Sequence, residues 1–319
     1  MPLRLLLGMP STTLVSMAET ASVEETRGGE YMIPGPFEYH RPQSISEAVA
    51  LLASLGDDAY PLAGGHSIIP LMKTRLAVPD HLVDLGGLAD LKFIRREMDH
   101  VVVGAMTTQQ DLIVSAMLKD LIPLVGEAAA TIADPQIRAM GTLGGNVANG
   151  DPGNDMPALM QCLGADYLLT GPDGDRSVAA RDFYHDAYDT ARLPGEIVTA
   201  IRIPIPPAGH GSAYEKLKRK VGDYATAAAA VVLTLEGGVC KTCSIGLTNV
   251  ASTPLWALDA ATALIGTTLD KAALEKAIEA AEAITSPAHD SRGPVEYRTK
   301  MAGVMVRRAV ERAHARAAA

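Results

Sequence analysis

Residues 204–209 read Pro-Ile-Pro-Pro-Ala-Gly, and no helix or interior strand can continue through them. Proline fixes φ and offers no N–H to a ladder, so prolines at 204, 206 and 207 make this segment a boundary. At 319 residues the chain exceeds the length, about 250–300, at which single hydrophobic cores stop growing. More than one core is therefore expected, with one domain over residues 32–208 and another over 209–319.

From Ser44 the spacing predicts a helix: Glu47 completes a capping box, and Ile45, Ala48, Val49 and Leu52 share one face. A short strand over 60–63 runs into Gly64-Gly65, and a helix near 67–74 and a strand over 81–85 complete a first α/β subdomain, 32–85. The second subdomain, 86–208, contains the β-branched strand 101–103 and helical stretches near 108–117 and 121–132. A Gly- and Asn-rich loop at 140–150, a helix near 156–163 and strands over 165–170 and 196–203 follow. Past the boundary, 212–218, 225–235 and 239–249 read as antiparallel strands, the last two joined across Gly237-Gly238. Helices over 270–284 and 297–317 complete the pattern, with Leu274, Ile278 and Ala281, then Met301, Val304, Met305 and Ala309, as their core faces. Residues 1–31 carry only the short apolar run Leu5-Leu6-Leu7 after Arg4, too little for a secretory signal. They read as a flexible extension, with Met32 as a second possible natural start.

Several function classes are disfavoured by composition. The net charge is −9, from 28 basic and 37 acidic residues, without a basic stripe interleaved with aromatics, so no nucleic-acid partner is expected. No run of about 18 apolar residues is present to span a bilayer. Three cysteines, Cys162, Cys240 and Cys243, are too few for a disulfide framework and fit a reducing, cytoplasmic setting. Cys240 and Cys243 form a C-x-x-C with no second pair, so neither an iron–sulfur cluster nor a zinc site is expected in this chain. With no HExxH, no Ser-His-Asp arrangement and no acid–base carboxylate pair, the expectation is no catalytic and no metal-binding residue.

Two segments carry the chemistry: Ala63-Gly64-Gly65-His66-Ser67 and Thr142-Leu143-Gly144-Gly145-Asn146. Paired glycines reach φ > 0 and let the backbone approach a ligand, and such loops can aim several N–H groups at one anion. Neither loop has the lysine of a phosphate-transferring P-loop, and neither matches a G-x-G-x-x-G turn. What remains is a diphosphate that is held but not reacted, as in a dinucleotide; either loop taken alone could be a tight turn. Asp155, beyond the second loop, has two readings, a helix cap or an acceptor for a ribose diol. In Tyr214–Tyr224, four cations lie among residues 214–220. They read as a solvated edge strand or, beside a flavin, as a source of one stabilising cation, with Tyr224 against the ring.

The run Pro61–Leu76, the later Met140-Gly-Thr-Leu-Gly-Gly-Asn146 and the Gly-Asp-Tyr-Ala-Thr-Ala of 222–227 resemble the FAD subunit of molybdenum hydroxylases. The likeness runs from Met32 to about Arg316. Asp134-Pro-Gln-Ile-Arg138 and residues 150–162 are similar to the carbon monoxide dehydrogenase branch. Two departures are the segment 1–31 and Ala139, where relatives often carry a larger side chain. The resemblance implies an α+β fold: a two-part α/β FAD-binding domain of the PCMH, vanillyl-alcohol-oxidase-like type, then a C-terminal flavoprotein domain of a small antiparallel sheet plus helices. It implies FAD as cofactor, with Ala63, Gly64, Gly65, His66, Ser67, Thr142, Leu143, Gly144, Gly145 and Asn146 on the diphosphate. Asp155 would take the ribose, Lys216 the ring or ribityl chain, and Tyr224 the isoalloxazine. It further implies a small partner subunit with two [2Fe–2S] clusters and a large one with the molybdenum cofactor, in a dimer of heterotrimers. Electrons would pass through FAD to a quinone-type acceptor, in a cytoplasmic complex that can sit against the inner face of the membrane.

Overall fold

The computed structural model describes residues 33–317, so the expectations for residues 1–31 lie outside the described residues. The first unit comprises β1 (Glu38–His40), α1 (Ile45–Leu55), β2 (Ala59–Leu62), α2 (Ile68–Lys73) and β3 (His81–Asp84). Its strands pair in parallel in the order β1-β3-β2. Successive side chains of β3 point to opposite faces: Val83 packs with Ala48, Val49 and Leu52 of α1, and Leu82 with Met72 of α2. The Ser44 hydroxyl caps α1 by accepting from the Glu47 N–H, while the Glu47 carboxylate accepts from Gln43 N–H rather than closing the reciprocal box.

The second unit contains β4 (Ile94–Glu97), β5 (His100–Gly104), α3 (Gln109–Val114), α4 (Ala116–Leu121), α5 (Pro123–Thr131), α6 (Pro135–Met140), α7 (Leu143–Ala148), α8 (Asp155–Leu163), β6 (Asp166–Gly171), β7 (Gly174–Ala179), β8 (Tyr184–Asp186), β9 (Asp189–Thr190) and β10 (Ile197–Pro204). The last strand returns to the middle, giving the order β4-β5-β10-β6-β7 with antiparallel pairings. One helix was expected across 108–117; two occur, because Ser115 turns to ψ 115° and its side chain caps the next helix by accepting from Leu118 N–H. The segment 140–150 was expected to be a loop, yet it forms α7, because the Thr142 hydroxyl accepts from Gly145 N–H and caps a helical turn. Pro204 is the last residue of β10, and the segment after it carries no regular element before residue 211.

Beyond that boundary lie β11 (Gly211–Leu217), β12 (Ala227–Glu236), β13 (Val239–Thr248), β14 (Leu255–Trp256), α9 (Leu258–Leu264), α10 (Lys271–Ala283) and α11 (Val295–Ala317). The four strands pair antiparallel in chain order. Leu274, Ala281, Met305 and Ala309 are buried in the core under this sheet, with Ile278, Met301 and Val304 packed at its margin, so the methionine stripe fills space. Cys240 and Cys243 lie on β13 beside an irregularity of its ladder with β12, and all three cysteines are free thiols. The other face of the sheet joins the second unit's core through Tyr214, Ala228 and Ala230. Among the described residues no helix is long and apolar enough to cross a membrane.

Candidate functional site

A cavity of about 610 Å³ opens where the three units meet, a size suited to a cofactor. Of the residues singled out in the sequence, Ala63, Gly64, Gly65, His66, Ser67, Thr142, Gly144, Gly145, Asn146, Asp155, Lys216 and Tyr224 all line it. Leu143 does not: it is fully buried in the core.

The first loop leaves β2 at Leu62 and enters α2 after Ser67. Gly65 sits at φ +76°, a left-handed conformation that glycine adopts without strain. The N–H groups of Gly64, Gly65, His66, Ser67 and Ile68 find no acceptor among the described residues. Unsatisfied backbone donors are costly when dry, so a wall carrying successive ones calls for water or an anion. Gly64 has a different reason to lack a side chain. A Cβ there would lie 2.3 Å from the Met140 carbonyl oxygen, so the two loops touch backbone to backbone.

The second loop spends its donors within the protein. Leu143 N–H bonds the Thr107 carbonyl at 2.9 Å, Gly144 N–H the Ala105 carbonyl at 2.8 Å and Gly145 N–H the Thr142 hydroxyl at 3.0 Å. Asn146 N–H bonds the Thr142 carbonyl at 3.1 Å. The expectation that both loops aim rows of N–H groups at a ligand is thus corrected for the second, whose N–H groups fasten α7 to β5. Gly144 is required by packing, since its Cβ would lie 2.4 Å from that of Ala105. At Gly145 a Cβ would lie 2.9 Å from the Thr142 hydroxyl, so a side chain would disturb the cap as well as the cavity. The Asn146 Oδ1 accepts from Met156 N–H at 3.2 Å, and its carbonyl accepts from Asn154 Nδ2 at 2.8 Å.

Asp155 does not cap α8. It is the first helical residue, and Asn154 before it makes no side-chain cap bond. Instead its Oδ1 accepts from the Tyr214 hydroxyl at 2.5 Å and its Oδ2 from Lys216 Nζ at 2.7 Å, with side chains only 5% and 3% exposed in that ion pair. Burial, then the charge of Asp155, holds the Tyr214 phenol well above its ordinary pKa. The solvated-edge reading of this basic segment therefore fails for Lys216, although β11 is at a sheet edge, because α8 brings it a buried carboxylate. Lys218 is only part-buried; burial, then the Lys216 charge, pushes its pKa down.

Tyr224 is 41% exposed at the mouth of the cavity. Its ring packs on Gly153, where a Cβ would lie 2.8 Å from the Tyr224 Cδ1, and the Arg292 guanidinium is 5.6 Å from the ring centre. Burial, then Asp151, pushes its phenol pKa up, so it presents a neutral ring.

Gln109, Tyr188 and Arg192 also line the cavity, although no motif in the sequence marks them. Gln109 donates from Nε2 to the Thr142 carbonyl at 3.3 Å, and its buried Oε1 has no partner among the described residues. Burial lowers the Arg192 pKa against the pull of Glu196, and Arg192 holds the Glu196 carbonyl at 3.0 Å. Only a fold places these residues together; the sole signal in sequence is an arginine close before Pro194-Gly195.

Known proteins resemble this chain over both of its parts. Residues 35–206 match the FAD binding domain in molybdopterin dehydrogenase, and residues 212–313 the CO dehydrogenase flavoprotein C-terminal domain. The carbon monoxide dehydrogenase medium chain of Afipia carboxidovorans is 71% identical over 286 residues, covering 90% of this chain and 99% of that one. That of Hydrogenophaga pseudoflava is 49% identical over 287 residues, covering 90% and 100%. A crystal structure of cyanide-inactivated Cu,Mo-CO dehydrogenase contains a chain that superposes with a TM-score of 0.89 at 70% identity, covering 89% of this chain and 100% of that one. Relatives named for other substrates, such as the glyceraldehyde dehydrogenase medium chain of Sulfolobus acidocaldarius at 34% identity, are more distant. The chain belongs to the FAD-binding medium subunits of the molybdenum hydroxylases, on their carbon monoxide dehydrogenase branch.

Proposed function

We propose that this chain is the electron-relay subunit of a carbon monoxide dehydrogenase. A large partner subunit with the molybdenum cofactor oxidises carbon monoxide, and a small one delivers the electrons through [2Fe–2S] clusters. Two medium chains with carbon monoxide dehydrogenase names, at 71% and 49% identity, support the substrate. The acceptor is of quinone type and the assembly a dimer of heterotrimers. The complex is cytoplasmic and rests against the inner face of the membrane.

The site reading rests on the row of open N–H groups from Gly64 to Ile68 on the wall of the cavity. They suit the diphosphate of FAD, which asks for several donors at once and no reaction. The orphan Oε1 of Gln109 is a further polar atom that bound cofactor or water would satisfy. Bound FAD supplies the exchange between one-electron donors and a two-electron acceptor. The chain's residues hold and orient it. Ala63–Ser67 take the diphosphate, and Thr142–Asn146, packed beside them, offer the Asn146 Nδ2 in place of backbone donors. Asp155 keeps lone pairs beyond those used by Tyr214 and Lys216 and takes the ribose diol. Lys216 faces the ring or ribityl chain as a buried cation, and Tyr224 packs on the isoalloxazine as a neutral ring. The division at 32–85, 86–208 and 209–319 puts this cleft where all three parts contribute.

Purified protein is expected to show a flavin spectrum that dithionite bleaches and air restores, and the intact complex to reduce dye when given carbon monoxide. Dye reduction with aldehydes or N-heterocycles but not carbon monoxide would overturn the substrate. A colourless protein that retains ADP and refuses FAD would overturn the relay.

A further inference from the structure

The strand pair β1/β3 brings together three side chains that the flavin site does not use. Glu38 and His81 are register partners, and His40, two residues along β1, shares their face. His40 Nε2 lies 3.2 Å from His81 Nδ1, and the Glu38 Oε2 lies 3.5 Å from His81 Nδ1 and 3.9 Å from His40 Nε2. Three potential ligand atoms thus face one point. Zinc bonds of about 2.0–2.1 Å at tetrahedral angles imply ligand–ligand edges of roughly 3.4 Å, close to these separations. The imidazoles are about one-fifth exposed, at 23% and 22%, while the Glu38 side chain is 74% exposed and free to adjust. The backbone beneath is fixed, because Glu38 N–H bonds the Asp80 carbonyl at 2.8 Å and the Tyr39 hydroxyl on the opposite face donates to Asp84.

We propose that Glu38, His40 and His81 form a divalent transition-metal site, zinc-type in its nitrogen and oxygen donors, that clips β1 to β3. Two neutral imidazoles and a carboxylate satisfy three positions of a four-coordinate ion and leave the fourth to water. The pairing of β1 with β3 has only the partners Glu38–His81, Tyr39–Leu82 and His40–Val83. A metal bridging residues 38 and 81 therefore holds a short edge strand where the described chain enters the fold. The same face without an ion would carry a His–His hydrogen bond and a weak ion pair, and the two states differ in measurable ways.

The experiment is a calorimetric titration of Zn²⁺ into the chelator-stripped, FAD-loaded full chain, followed by Co²⁺ spectroscopy. One saturable equivalent is expected, with a rise in thermal midpoint and a Co²⁺ spectrum lacking a thiolate charge-transfer band. His81→Ala and His40→Ala should lose that equivalent, Glu38→Gln should weaken it, and Cys240→Ser/Cys243→Ser should retain it. If His81→Ala is unstable, His40→Ala and Glu38→Gln decide by themselves. No saturable binding, binding unaffected by the His40 and Glu38 substitutions, or loss of binding in the cysteine variant would each overturn the site.

Discussion

The two glycine loops resemble each other in letters and differ in what they do with their backbone. The second, Thr142–Asn146, bonds its N–H groups to Thr107, Ala105 and Thr142, so it is part of the scaffold that seats α7 on β5. The first, Ala63–Ser67, leaves successive N–H groups without acceptors among the described residues, with Gly65 at φ +76° turning the chain. One loop spends its donors inside the protein, and the other, on the proposed reading, offers them to the cofactor. The difference teaches that a Gly-Gly pair reports close approach of something to the backbone; only the hydrogen-bond tally tells whether that something is another strand or a bound anion.

The largest effect is expected on the finished side. Asp155→Asn leaves the Lys216 ammonium buried without a counter-charge, and breaking such a pair costs about 3–5 kcal/mol. Denaturant unfolding should show that loss, and the double change with Lys216→Met should recover part of it. A midpoint unmoved by Asp155→Asn would mean that this pair does not hold α8 to β11. Next in size is Gly144→Ala, whose methyl would meet Ala105 at 2.4 Å and should cost about 1–3 kcal/mol of stability through overpacking.

These two residues also mark how far the sequence could be read. The fold class, the flavin family and the cavity-lining members of both loops were legible, because glycine pairs, capping residues and alternating strands are local signals. The helix at 143–148 was not, since its cap depends on a Thr142 hydroxyl turning inward and its seat on carbonyls of Ala105 and Thr107, far back along the chain. The burial of Lys216 was illegible for the same reason. A basic run looks solvated until a helix about sixty residues earlier supplies a carboxylate beneath it. Arg192 and Gln109 reach the cavity only through tertiary packing, and the metal-ligand trio on β1 and β3 becomes visible only once parallel pairing sets residue 38 against 81.

A paired substitution sharpens the contrast between loops. Thr142→Ala removes the cap of α7 and should cost about 0.5–2 kcal/mol of stability while leaving FAD affinity nearly unchanged. Gly65→Ala should cost a similar amount, roughly 1 kcal/mol for its left-handed φ, but should also weaken FAD binding, because the row of donors is re-aimed. Its methyl comes closest to the flexible end of Ile69, at 2.6 Å. Flavin fluorescence titration alongside unfolding curves separates the two. Equal losses of FAD affinity would erase the distinction between a finished and an open loop.

The smallest effect tests the contrast at the level of single side chains. Ser67 precedes α2 but makes no side-chain cap bond, whereas Asn146 accepts from Met156 N–H. Asn146→Ala should therefore cost about 1 kcal/mol in thermal unfolding, in line with other lost caps, and Ser67→Ala no more than about 0.5 kcal/mol, as for an exposed position without such a bond. Without FAD, Ser67→Ala should match the unsubstituted protein. With FAD bound it should lose a little of the ligand-induced stabilisation, because its hydroxyl sits among the open donors. A Ser67→Ala variant less stable than Asn146→Ala in the absence of FAD would show that the first loop is held by its own side chains and is not waiting for a cofactor to complete it.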